Sequence, residues 1–156
     1  MDLELHQLDR RYEVLRTTSR ERDSRVLASL ARDGQQLPVV VIAGGGAGRY
    51  ILVDGYKRVR GLRTLGHDQV RATCWDLPEQ DALLLGRLMR AAEGEGVLEQ
   101  AWLVRELQER FGLSLEDLAR RFGRSPSWVS RRLGLVASLP DAIQQLVRNG
   151  KLAPHA

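Results

Sequence analysis

Between Ser114 and Val136 the chain carries two helix-start signals separated by a glycine, and that spacing leaves few ways to fold. Ser114, with Asp117 three residues on, forms a variant capping box ahead of Leu118, Ala119 and Phe122. Ser125 followed by Pro126 is the second start. Serine accepts a free first-turn amide, and the fixed φ of proline suits the first helical position. Gly123 takes the turn between them, where a positive φ costs least. Ala119 is small where the two helices cross closely, and Leu118, Phe122, Val129 and Leu133 bury the angle between them. The pattern is a helix-turn-helix. A plain helical hairpin with a solvated arginine face is the alternative that spacing alone leaves open.

Charge concentrates on the same stretch. Residues 1–100 carry 15 basic and 15 acidic side chains, whereas residues 101–156 carry 9 and 5, so the formal net charge of +4 sits in the last third. Arg120, Arg121, Arg124, Arg131 and Arg132 follow one another with no acid between them. Arginine forms paired hydrogen bonds to phosphates and base edges, so a polyanionic partner fits this cluster. What remains outward on the second helix is short or basic: Ser125, Ser127, Ser130 and Arg131. Small residues let a helix sit deep in a major groove, where arginine reads guanine. Arg121 and Arg124 are then expected at the DNA backbone, with Arg132 among the DNA-binding residues. Trp128 either crosses that backbone or packs on Leu103 and its neighbours, and core packing is the favoured reading.

Ahead of this region the pattern is mixed. Leu3 to Tyr12 and Val14 suggest an extended opening segment. Arg20 to Asp33 has Val26, Leu27 and Leu30 at helical spacing and stops at Gly34. Val39–Ala43 and Tyr50–Val53 read as strands joined by a glycine-rich hairpin loop, and Val70 to Trp75 as a third. Tyr56 to Leu65 is a helix that turns Val59, Leu62 and Leu65 inward. Further helices run from Leu77-Pro78 to Met89, from Leu98 to Phe111 and from Ala142 to Asn149. Ala91 to Gly96 breaks the chain and is read as a hinge.

The turn Asp54-Gly55-Tyr56-Lys57-Arg58-Val59-Arg60 places a glycine and three cations at a helix start. Free amides and the helix dipole attract anions there, so phosphate is the natural ligand. A strand-to-helix turn with a solvated basic face is the other reading. One cysteine, Cys74, excludes an internal disulfide and reads as a small core residue, and His6, His67 and His155 lack metal-ligand spacing. The longest apolar run, Leu37 to Ala43, falls far short of the ~20 residues that span a bilayer.

With these motifs in order, the chain resembles the ParB superfamily of partition-type DNA-binding proteins, whose N-terminal domain is similar to that of sulfiredoxin. Gly55-Tyr56-Lys57-Arg58-Val59-Arg60-Gly61 stands where the family writes G-E-R-R-[WY]-R-A. Gly34-Gln35-Gln36-Leu37-Pro38-Val39-Val40-Val41 is similar to its glycine and Q-P-I-V-V strand, and the helix-turn-helix and Leu139-Pro140 follow in the same order. The resemblance implies an α+β fold: a small mixed-sheet ParB/sulfiredoxin-like domain over residues 1–93, then an all-α helix-turn-helix domain over 97–156. Family members continue past this point into more helices and a C-terminal dimerisation domain. It also implies a CTP pocket lined by Gly55, Tyr56, Lys57, Arg58 and Arg60. Arg16 matches the arginine of an early Q-P-R segment, with Val14 and Leu15 in place of its first two residues. The family's E-N-x-x-R-E segment stands here as Leu88-Met89-Arg90-Ala91-Ala92-Glu93, without the asparagine. Leucine and methionine cannot ligate a hard divalent cation, which takes oxygen ligands. Weak or absent magnesium dependence and little CTP turnover are therefore expected, and both CTP binding without hydrolysis and loss of nucleotide binding stay open. Sulfiredoxin chemistry is rejected, because Tyr56 and Lys57 stand where its G-C-H-R turn carries cysteine.

Three functions follow in order. The first is a sequence-specific DNA-binding protein of plasmid or chromosome partition, or of transcription regulation. The second is a CTP-dependent DNA clamp or CTPase switch, and the third a module of this fold that binds another phosphorylated ligand. The expected partners are double-stranded DNA, a second copy in a homodimer and a partition ATPase, with no membrane. The expected place is the cytoplasm, on the nucleoid.

Overall fold

Along the described residues, 1–90 and 94–152, the computed structural model forms five strands and seven helices. In chain order these are β1 (Asp2–Glu4), β2 (Leu8–Asp9), α1 (Arg20–Asp33), β3 (Val39–Ala43), β4 (Tyr50–Asp54), α2 (Tyr56–Thr64), β5 (Gln69–Trp75), α3 (Glu79–Met89), α4 (Val97–Phe111), α5 (Leu115–Phe122), α6 (Pro126–Ser138) and α7 (Asp141–Arg148). Contacts divide the chain into two compact units. One is Met1–Val14 with Thr18–Gly86; the other is Leu15–Thr17 with the chain from Arg87 onward. No helix among the described residues is long and apolar enough to cross a membrane. The break expected over Ala91 to Gly96 falls partly on residues 91–93, which lie outside the described residues, as do residues 153–156.

The first unit is α+β. Its sheet has the order β1-β5-β3-β4-β2. The β-branched run of β3 pairs antiparallel with β4 across the glycine loop and parallel with β5. The opening segment does not run on as one strand. A 3-10 turn at Leu5–Gln7 breaks it and a second, Glu13–Leu15, takes in Val14; the two short strands border opposite edges, Leu3 across from Val70 and Leu8 beside Tyr50. Val39, Val41, Ile51 and Leu52 form the buried centre, which Val59 and Leu62 of α2 cover. Gly61 matters here, because a Cβ on it would lie 2.6 Å from Leu30 Cδ1 of α1.

Two inward assignments fail. Leu65 is 37% exposed, because α2 ends at Thr64 before Leu65 can turn back over the sheet. Cys74 is exposed rather than a core residue, since the inward alternation of β5 through Val70 and Ala72 stops before the strand ends.

The second unit is helical around α4, whose Ala101, Trp102, Val104 and Leu107 are fully enclosed. Ser114 Oγ accepts the Asp117 N–H at 3.1 Å and Ser125 Oγ accepts that of Trp128 at 3.2 Å, so both expected caps form. Gly123 closes α5 with φ +64°. Leu118, Ala119, Phe122 and Val129 are buried at the α5–α6 crossing, and Leu133 is half-buried. A buried amide holds α7. Trp102 Nε1 donates to Gln144 Oε1 at 2.8 Å, and Gln144 Nε2 donates to the carbonyls of Val136 and Leu139 at 3.0 and 2.9 Å. Arg148 lies 4.3 Å over the Trp102 ring, where burial and then Arg105 push its pKa below the ordinary arginine value.

Gln144→Ala strands the buried Trp102 Nε1 and Val136 carbonyl and the partly buried Leu139 carbonyl, each buried group costing ~1–3 kcal/mol with partial relaxation. Urea denaturation should show a loss of roughly 2–4 kcal/mol. The exposed neighbour Gln145→Ala should fall within ~0.5 kcal/mol of wild type.

Candidate nucleic-acid interface and anion turn

Ser127, Ser130 and Arg131 share an exposed side of α6, while Trp128 and Val129 face inward. The hydroxyl of Ser125 is occupied as the helix cap. The arginines around this helix differ in what holds them. Arg120 donates to Asp117 at 2.7 Å. That bond, followed by the one from Ser114, holds the Asp117 carboxyl below the usual aspartate value, so the charge of Arg120 is already matched. Arg121 is exposed on α5. Arg124 and Arg131 are exposed and have no ion pair among the described residues. Arg132 is half-buried: its Nε donates to Gln100 Oε1 at 3.0 Å and its guanidinium lies 4.8 Å over Trp128.

Trp128 is 6% exposed and 5.6 Å from Phe122, consistent with the core reading. Arg132, four residues on along α6, shares a helix face with it, whereas Arg124 reaches the ring from the turn ahead of the cap. Arg124 lies 5.4 Å over the same ring. Phe122 is covered by Arg87 at 4.5 Å, whose Nε donates to Glu95 at 2.9 and 3.1 Å. Each exposed cation–π contact contributes about 0.5–1 kcal/mol.

The anion turn lies in the first unit. Gly55 has φ +108°, and a Cβ on it would lie 2.5 Å from Val39 Cγ1 and 2.8 Å from Val39 Cβ. The absent side chain is thus a requirement of packing β4 against β3 before any ligand arrives. It also leaves α2 without a side-chain cap, so the first-turn amides of Tyr56, Lys57 and Arg58 precede the first helical bond, Val59 N–H to Gly55 O at 3.0 Å. Tyr56 is buried and its hydroxyl donates to Leu52 O at 2.7 Å, so only its amide faces the turn's chemistry. Arg58 Nη1 donates to the carbonyls of Leu37 and Pro38, both at 3.1 Å, and Nη2 to Asp54 at 3.4 Å. A cavity of about 210 Å³ lined by Arg20, Asp23, Ser24, Lys57 and Thr64 opens between α1 and α2.

Arg60 and Arg16 have acidic partners of their own. Arg60 donates to both oxygens of Asp23 at 2.9 and 3.0 Å and to Glu13 at 2.7 Å. Burial works against its charge, but these bonds outweigh it and raise its pKa above the ordinary value. Arg16 belongs to the second unit, where its Nε donates to Glu99 Oε2 at 2.9 Å. The same carboxylate accepts the Thr17 and Gly96 amides. Glu13, Asp23, Glu99 and Gln100 escaped the sequence reading, because their partners lie 32 to 83 residues away with no local signal. The ion pair of Asp54 with Arg58, four residues apart, was available to it.

The chain matches the ParB N-terminal domain over residues 1–88 and the ParB HTH domain over residues 95–156. The chromosome-partitioning protein ParB of Caulobacter vibrioides is 30% identical over 153 residues, 96% of this chain and 50% of that protein. The chain spans about half the length of the curated relatives it matches. Among solved structures, the C-terminally truncated chromosome-partitioning protein ParB from Caulobacter crescentus complexed with CTP-gamma-S superposes with a TM-score of 0.52 at 29% identity. That match covers 98% of this chain and 86% of the other. The same truncated protein complexed to the centromeric parS site gives a TM-score of 0.51 at 27% identity, covering 99% and 80%.

Two glycine variants separate backbone strain from packing at the turn. Gly46, with φ +113° and no atom within 4 Å of an added Cβ, should lose about 1–2 kcal/mol as Gly46→Ala. Gly55→Ala adds the Val39 clash and should lose roughly 2–4 kcal/mol. Equal losses in urea denaturation would show that the approach to Val39 carries no weight.

Proposed function

As the chain belongs to the ParB family, we propose that it is a sequence-specific DNA-binding protein of chromosome or plasmid partition that reads the major groove with α6. The observation that carries this reading is the exposed Ser127–Ser130–Arg131 side of a helix whose first turn holds no acid. The hydroxyls are short enough to let the helix enter the groove, and Arg131 presents an unmatched guanidinium to base edges. Arg121 and Arg124 serve the phosphate backbone. Arg132, bonded to Gln100, braces α6 on α4 rather than reaching bases. The relative complexed to parS supports DNA as the partner. A two-fold-symmetric target would mean action as a homodimer on the nucleoid, and a promoter-linked target would mean transcription regulation instead. A partition ATPase partner is supported by family membership alone.

A second function rests on the Gly55 turn. We infer that it binds the phosphates of a cytidine nucleotide, supported by the relative that holds CTP-gamma-S. The uncapped amides, Lys57 and Arg58 fit a phosphate group. Arg60 and Arg16 fit less well, because their carboxylate bonds, at 2.7 to 3.0 Å, are shorter than the 3.4 Å contact of Arg58 with Asp54 that a phosphate would have to replace. Leu88 and Met89, both exposed, offer no oxygen to magnesium, and Glu93 lies outside the described residues. CTP binding with little magnesium dependence and little turnover is the form this function takes here.

Selection of bound duplexes from a random pool should return a two-fold-symmetric site. On that site Arg131→Ala should cost ~1–3 kcal/mol and relax preference at one position. Arg120→Ala, whose charge Asp117 already matches, should change little. Random and selected DNA bound equally well by Arg131→Ala and wild type would remove α6 from the groove. For the nucleotide, calorimetric titration with CTP should show binding abolished by the double change Lys57→Ala and Arg58→Ala, and unaltered by omitting magnesium. Undiminished affinity in the double variant, or tight magnesium-dependent turnover in wild type, would overturn the respective statement.

A further inference from the structure

We propose that Trp128 is a positioning residue for DNA phosphate contact, holding the Arg124 guanidinium in one orientation beside the start of α6. This rests on the DNA reading above. The indole is itself enclosed: it is 6% exposed, packs on Phe122 at 5.6 Å and is covered by Arg132, which Gln100 anchors. Phe122 in turn lies under Arg87, anchored by Glu95. Arg87 and Arg132, which lie on this aromatic pair, have their own hydrogen-bond partners. Arg124 has its backbone fixed, N–H to Ala119 O at 2.9 Å, and its side chain lies 5.4 Å over Trp128 with no carboxylate among the described residues.

Arg124 precedes the cap Ser125, so it stands beside the first turn of α6, where no acid competes for its donors and an approaching anion meets both the guanidinium and the helix start. A cation–π contact uses the ring face and none of the guanidinium N–H donors as hydrogen bonds, so those of Arg124 remain for paired bonds to a phosphate. Trp128 thus spares Arg124 the loss of side-chain freedom at the moment of binding.

The test is fluorescence anisotropy of the full chain on a labelled random-sequence duplex across a salt series, with a thermal melt for each variant. Arg124→Ala and Trp128→Leu should each lower the slope of log affinity against log salt by about one unit, and the double variant should lose no more than either. Trp128→Tyr keeps an aromatic face and should keep the slope. Without DNA, the Arg124 Nε–H proton should be shifted upfield by the ring current in wild type and Trp128→Tyr, and return to the ordinary position in Trp128→Leu. A Trp128→Leu variant that melts like wild type and keeps the full slope overturns the proposal, as does additive loss in the double variant. Should Trp128→Leu not fold, Arg124→Lys decides: it keeps the charge without the planar face, weaker binding supports the proposal, and wild-type affinity overturns it. A wild-type chain that fails to bind the duplex removes the DNA reading itself and this proposal with it, which is distinct from a normal wild-type slope left untouched by Trp128→Leu.

Discussion

Gly55 meets Val39 so closely that no side chain fits between them, and most of the first unit follows from that contact. The end of β4 lies directly against the start of β3, and the chain leaves the sheet through a left-handed turn that glycine alone adopts without strain. Because the cap residue has no side chain, α2 begins without a side-chain cap, and Lys57 and Arg58 follow directly. One and a half turns later Gly61 repeats the device against Leu30, drawing α1 close enough for Asp23 to bond Arg60. Packing and chemistry therefore ask for the same residue types. A glycine that a phosphate would welcome is already required by the sheet.

The second unit reaches its precision through a buried polar group. Gln144 satisfies Trp102 and two carbonyls at the end of α6, so α4, α6 and α7 are held by directional bonds as well as apolar burial. Such a fully matched amide fixes one arrangement, because any slippage strands groups that water cannot reach. In the same unit, arginines with different partners do different work. Arg132 and Arg87 stack and bond within the unit, Arg120 is matched by Asp117, and Arg124 and Arg131 keep an unmatched charge. Arginine content alone would rank them equally; their neighbours do not.

Much of the fold was legible in the sequence because its signals are local. Serine caps, Pro126, the glycines at 34, 55 and 123 and the apolar periods around them specify helices and strands to within a residue or two. Where the reading failed, a long-range partner or an element's end decided the outcome. The opening segment was read as extended, but its two halves pair with strands far along the chain and lie at opposite edges of the sheet. Leu65 and Cys74 follow the period of their elements and are exposed because those elements stop.

The same division holds for the candidate sites. The sequence by itself determined the helix-turn-helix, the glycine turn and the arginine-rich third of the chain, since each depends on residues within a turn or two of one another. Only the tertiary structure decided which cations remain available. Arg60 is matched by carboxylates 37 and 47 residues away, and Arg16 by one 83 residues away. The physical reason is that backbone conformation is set by neighbours along the chain, whereas the availability of a charge is set by neighbours in space.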